Sequence, residues 1–122
     1  MGHTWVDVKI SDAEKKKSAR VKALVDTGAS LTVLPSKLAK ELHIKPLSEE
    51  KVSTEAGEVN IKRGRAWITL EGKEDIFSVW ISDIIDKVLI GVVTLETLGL
   101  EVDPVSEKLK QRRLLLYFFD KS

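Results

Sequence analysis

The stretch ALVDTGAS at 23–30 places one carboxylate where chemistry can use it. Leu24 and Val25 carry an apolar run directly into Asp26, and Thr27, Gly28 and Ala29 follow. Leu31, Val33 and Leu34 then resume the apolar pattern. Asp, Thr and Gly are all turn formers, so the plain alternative is a surface turn. A surface turn, however, has no need of apolar residues so close on both sides. A carboxylate delivered from a buried strand suits acid–base work. Two such groups held together cannot both ionise easily, so one stays protonated as an acid and the other is a base. Such a pair titrates as a unit. Gly28 lets backbone approach closely, and the Thr27 hydroxyl can lock the loop by a hydrogen bond.

A second segment, LIGVVTLETLG at 89–99, pairs an apolar run ending in glycine with a short helical stretch. LVDTGAS resembles the active-site signature of the retropepsins, the retroviral-type aspartic peptidases and their small prokaryotic relatives. Leu89, Ile90, Gly91, Leu95, Leu98 and Gly99 fall where that family's second motif wants them. LGLEVDP at 98–104 is similar to the strand that closes many prokaryotic members. The order of the motifs, and the spacing from Asp26 to Gly91, also agree.

The resemblance implies an aspartic endopeptidase with Asp26 as catalytic residue. Thr27, Gly28 and Ala29 then support the active loop, and Ile90 and Gly91 brace it from behind. It implies that a water held between two carboxylates attacks the peptide bond. The sequence contains no second Asp-Thr-Gly or Asp-Ser-Gly. The other carboxylate must therefore come from a twofold mate, which predicts a homodimer. A β-hairpin should close over a peptide or protein substrate as a flap. STEAGEV at 53–59 is the candidate, with Ala56, Gly57 and Glu58 at its tip; a plain turn is the alternative, and Gly64 and Gly72 are competing turn positions. In viral members an acidic residue soon after the loop and an Arg after the later glycine bind substrate and brace the dimer. Ser30 and Val92 stand at those places here, so that ion pair is absent. A catalytically silent dimerisation or peptide-binding module of the same fold is the alternative function.

The elements that must position these residues read mostly as strands. TWVDVKI at 4–10 and ARVKALV at 19–25 alternate apolar and polar residues and should form a hairpin, with Lys15–Lys17 at its solvated tip. Ser36 is a natural N-cap for a short helix, KLAKEL. KVSTE and VNIKRGRAWITL flank the AGE turn, EGKED makes the next turn, and IFSVWI at 76–81 alternates again. Trp67 and Trp80 lie in these strands and are expected in the core; Trp5 suits either core or interface, and His43 an ordinary structural or surface place. VLI at 88–90 reads as a strand buried on both faces. VTLETL forms a short helix with Gly99 at its end. LLLYFF at 114–119 is a terminal apolar strand, either at a subunit interface or in the core.

Composition sets the frame. The chain has 122 residues, 43 % hydrophobic and 32 % charged, which is one ordinary globular domain. A net charge of +1 gives no reason to expect nucleic acid or an anionic membrane. The absence of cysteine excludes disulfides and thiolate chemistry. His3 and His43 are too far apart in sequence to suggest a metal, and the resemblance calls for no cofactor. No apolar run reaches the roughly 18 residues of a membrane span, and the N-terminus lacks a signal peptide's apolar core, so the cytoplasm is the expected location. The expectation is a mostly β fold: a small closed acid-protease (retropepsin-like) β-barrel with one or two short helices. It should fill 1–122 as a single domain, one half of a symmetric dimer.

Overall fold

The computed structural model describes residues 3–116. Alternation builds the first hairpin as expected. Strand β1 (Trp5–Asp12) buries Val6, Val8 and Ile10, and β2 (Ser18–Val25) pairs with it antiparallel from Trp5↔Leu24 to Ser11↔Ser18. On the outer face Lys22 and Asp7 form an exposed ion pair at 3.1 Å. The tip is tied by the Asp12 carboxylate, which accepts from the Lys17 amide at 2.7 Å.

Strand β3 (Val33–Pro35) leads into helix α1 (Ser36–Glu41). Ser36 is its first helical residue and not its N-cap. Extended Pro35 takes the cap position, and no side chain caps the helix. Its C-terminus is closed by backbone bonds: His43 N–H donates to Lys40 and Ile44 N–H to Ala39, with His43 in the left-handed region at φ 56°. This backbone turn is the structural place of His43.

Strands β4 (Ser48–Thr54) and β5 (Gly57–Leu70) form a long hairpin, and β6 (Lys73–Ser82) returns along β5. The β5–β6 turn is shorter than EGKED. Only Glu71 and Gly72 lie outside the strands, both at positive φ (53° and 74°), as a tight two-residue hairpin requires. Strand β7 (Val88–Ile90) then runs into helix α2 (Val92–Thr97), which ends at Gly99 with φ 67°. Strand β8 (Leu100–Val102) pairs with a further strand, β9 (Leu109–Gln111). The 103–108 turn between them is held by Asp103 N–H to Lys108 O and Glu107 N–H to Asp103 O, both at 2.8 Å.

The strands run β1-β2-β7-β3-β6-β5, and pairing of β1 with β5 closes them into a barrel, with β4 extending outward on β5. The fold is a mostly β, closed six-strand barrel with two short helices, as expected. Its core is Ile10, Leu34, Ile68, Leu70, Val79 and Ile90, all fully buried. Each such side chain contributes about 1.5–3 kcal/mol through removal from water.

The tryptophans are not core residues. On β5 the buried parity belongs to Ala66, Ile68 and Leu70, and on β6 to Phe77, Val79 and Ile81. Trp67 and Trp80 therefore lie on the other face, half-buried. Trp67 covers the first hairpin's tip, donating Nε1–H to Ala13 O at 2.8 Å with Lys15 Nζ 4.1 Å from its ring. Trp5 is half-exposed. Of LLLYFF, Leu114–Leu116 are exposed and form no strand, and 117–119 lie outside the described residues.

Candidate active site

Strand β2 ends at Val25, and Asp26 is the next residue. Its N–H donates to Ile90 O at 2.9 Å, which fixes the start of the loop to the end of β7. The loop then turns on itself. Gly28 N–H donates to Asp26 Oδ1 at 2.9 Å, and Ala29 N–H donates to Asp26 O at 3.1 Å. One carboxylate oxygen is thus oriented by the loop's own backbone. A side chain at Gly28 would put its Cβ 3.2 Å from that oxygen, so glycine keeps the carboxylate's surroundings open. Asp26 is partly exposed; Thr27, Gly28 and Ser30 are exposed.

The loop is held from behind by the start of α2. Val92 N–H donates to Ala29 O at 2.9 Å and Val93 N–H to Ser30 O at 3.1 Å. Strand β7 lies between β2 and β3, parallel to the first through Leu24↔Leu89 and antiparallel to the second through Val33↔Leu89. Gly91 is at the tightest point: an added Cβ would fall 2.4 Å from Leu31 C and 2.5 Å from Leu31 O. Real side chains do not tolerate such distances, so close backbone approach requires glycine.

Two residues that sequence reasoning missed complete this arrangement. Thr32 and Thr94 are fully buried, with their hydroxyl oxygens 2.7 Å apart. Thr32 Oγ1 also accepts from Gly91 N–H at 3.1 Å. The only signal in the sequence was a lone hydroxyl in each of two apolar runs, LTVL and VVTL.

The predicted residues Asp26, Gly28, Ala29, Ile90 and Gly91 are therefore brought together. Thr27 is exposed beside Asp26. Ala56, Gly57 and Glu58 sit apart, at the end of the β4–β5 hairpin. Glu55 and Ala56 form its tip, and Gly57 begins β5 with φ 109°. Thr54 Oγ1 donates to Gly57 O at 2.7 Å and accepts from Ala56 N–H at 3.2 Å, so the tip's hydrogen bonds are its own. Of the competing turn positions, Gly72 belongs to the β5–β6 turn. Gly64 lies within β5, where a Cβ would stand 3.1 Å from Lys45 O.

Among the described residues the shifted carboxylates all lie away from the loop. Asp12 is lowered chiefly by the Lys17 amide, Glu74 by Lys15 and then Thr69, Asp86 by Lys87, and Asp103 by the Val105 amide. Among the described residues no three His, Asp or Glu side chains gather where a metal ion could be held. A groove lined by Val21, Pro35, Leu38 and Ile85 does not include Asp26. No described helix is long and apolar enough to cross a membrane.

A family model described as aspartyl protease matches residues 6–94, which takes in the loop, the hairpins and the start of α2. The chain belongs to the aspartyl protease family. Solved structures of viral proteases share its fold. The protease of simian foamy virus (mac) is 19% identical with a TM-score of 0.56, covering 78% of this chain and 94% of its own. EIAV protease, solved with the inhibitor HBY-793, is also 19% identical, with a TM-score of 0.63 and 94% of each chain covered. The foamy viral protease-reverse transcriptase, solved with an RNA/DNA hybrid, is 18% identical with a TM-score of 0.58. It covers 95% of this chain, and the match is 13% of that longer protein. No curated protein matches the chain.

Proposed function

We propose that this aspartyl protease family member is an endopeptidase whose active site forms between two identical subunits, each contributing Asp26. The observation that carries the reading is the Asp26 loop itself. A carboxylate stands at the end of a strand, with one oxygen oriented by the Gly28 amide and its backbone fixed to Ile90. The sequence has one Asp-Thr-Gly, so a second copy must complete the pair. The exposed apolar surface of Trp5, at the same end of β1 as the loop, supports a partner there.

In this mechanism the ionised Asp26 takes a proton from a water held between the carboxylates. The protonated Asp26 of the mate polarises the scissile carbonyl. Water oxygen bonds to the carbonyl carbon, and the tetrahedral intermediate collapses as the leaving nitrogen is protonated. Thr27 braces the loop at the twofold axis, Gly28 offers backbone to the peptide, and Ala29 packs below. The β4–β5 hairpin, with Ala56, Gly57 and Glu58 at and beside its tip, closes over the substrate as a flap and excludes water. The peptidase works as a single domain per subunit in the cytoplasm, without cofactor, nucleic acid or membrane.

The test is cleavage of a mixed peptide library from acidic to neutral pH by the wild type and Asp26→Asn. The protein is used at concentrations where sedimentation verifies a dimer. Cuts made by the wild type alone are expected. A dimer that cuts nothing would favour the silent peptide-binding module, for which Ser30 and Val92 speak. Equal cutting by both proteins would remove Asp26 from the chemistry.

A further inference from the structure

We propose that Thr32 and Thr94 are positioning residues: their buried hydroxyl pair sets where Asp26 stands, so turnover depends on it more than substrate binding does. The inference rests on the peptidase reading above. A threonine hydroxyl has one proton and two lone pairs. Thr32 uses one lone pair on Gly91 N–H and meets Thr94 Oγ1 with what remains. Its own backbone is also fixed, because Trp80 N–H donates to Thr32 O at 2.9 Å. Thr32 thus ties β6, through Trp80, to the Gly91 junction between β7 and α2, and through its hydroxyl pair to Thr94 on α2.

Gly91 is flanked by the two residues that hold the loop. On one side Ile90 O accepts from Asp26 N–H; on the other Val92 N–H donates to Ala29 O. Replacing the Thr32 hydroxyl with a methyl group leaves Gly91 N–H and the Thr94 hydroxyl unpaired in the interior. The segment relieves this by shifting, and Asp26 follows it. Reaction rates are sensitive to such shifts: a misplacement of about 1 Å can cost about 100-fold. A peptide's affinity, spread over many contacts, is far less sensitive.

The variants are Thr32→Val, Thr94→Val, the double variant, and Thr32→Ser, which restores the hydroxyl. In steady-state cleavage, Thr32→Val should lower kcat by about 10- to 100-fold with KM within about twofold. Thr32→Ser should recover most of kcat. The double variant should be little worse than Thr32→Val, since Thr32→Val already removes the one hydrogen bond that Thr94→Val removes. A folded Thr32→Val with unchanged kcat would overturn the proposal, as would a serine variant as impaired as the valine. If Thr32→Val fails to fold, Thr94→Val, which spares the Gly91 bond, tests the hydroxyl pair alone by the same kcat and KM measurement. Amide hydrogen exchange gives a readout that needs no activity. Faster exchange confined to Asp26, Ala29, Val92 and Val93 supports the positioning role even if the wild type cleaves nothing. Faster exchange spread equally over β5 and β6, or none anywhere, overturns it.

Discussion

The Asp26 amide donates to the Ile90 carbonyl across 2.9 Å, and one residue further on Gly91 passes so near Leu31 that no Cβ fits between them. The loop bearing the carboxylate and the segment behind it are therefore one packed unit, and changes to either should be felt by both.

Gly91→Ala tests this directly. Its methyl group would overlap Leu31 and Thr32 backbone, which cannot swing aside as a side chain can. Overpacking of this kind costs about 1–3 kcal/mol, and backbone contact places it at the upper end. Gly28→Ala meets only Asp26 Oδ1, at 3.2 Å, and should leave stability nearly unchanged while lowering cleavage. Urea unfolding and peptide turnover measured on both variants separate the two cases. A Gly91→Ala protein as stable as the wild type would contradict the close approach.

The proposed flap makes a different demand. Gly57 has open space around it, so alanine meets no obstacle there; only its φ of 109° resists a side chain. Gly57→Ala should distort the tip at a cost of about 1–2 kcal/mol, the usual penalty for forcing a side chain to positive φ. The expected result is a several-fold fall in kcat/KM with a small change in melting temperature. Unchanged kcat/KM in a variant whose tip has demonstrably shifted, as read by amide chemical shifts, would argue that the hairpin never touches substrate.

Acid should loosen the far end of the first hairpin. The Lys17 amide holds the Asp12 carboxyl below its ordinary value of 3.8. A folded-state value below the unfolded one means that the ionised group stabilises the fold above that ordinary value. This contribution is lost as pH falls through the lowered folded value. The stability gap between wild type and Asp12→Asn should therefore be full at neutral pH and shrink below pH 3.8. Thermal melts at neutral pH and in increasingly acidic buffers measure it. A gap that stays constant would show that charge plays no part in holding the turn. Glu74, Asp86 and Asp103 are lowered too, so acid weakens several surface turns together.

Much of the scaffold was legible because its signals are local. Alternation in Val6, Val8 and Ile10 announces β1, and Gly99 marks the end of α2 through its positive φ. Strand β9 was not legible. Leu109–Gln111 is largely exposed and polar, and it exists because the backbone-bonded turn at 103–108 delivers it to β8. Trp67 misled by size: strand parity, set by Ala66 and Ile68, outweighs aromatic bulk in deciding what faces the core. At the candidate site, Asp26 and Gly91 stand out through their motifs. The Thr32–Thr94 bond could not be read, because its partners are 62 residues apart and either alone resembles an ordinary strand or helix residue.

The strand order carries a consequence for how the protein comes into being. β2 and β3 are successive in the chain, yet β7 lies between them. An elongating polypeptide finished only as far as Ser82 contains Asp26 but has neither Ile90 to receive its amide nor Val92 and Val93 to hold the loop. The first strands must wait, with a gap where the late strand will enter, and such non-local closure is slow. The carboxylate is set in place only after the chain has been synthesised through Val93, so a chain that stops short of it cannot present a formed loop to its surroundings.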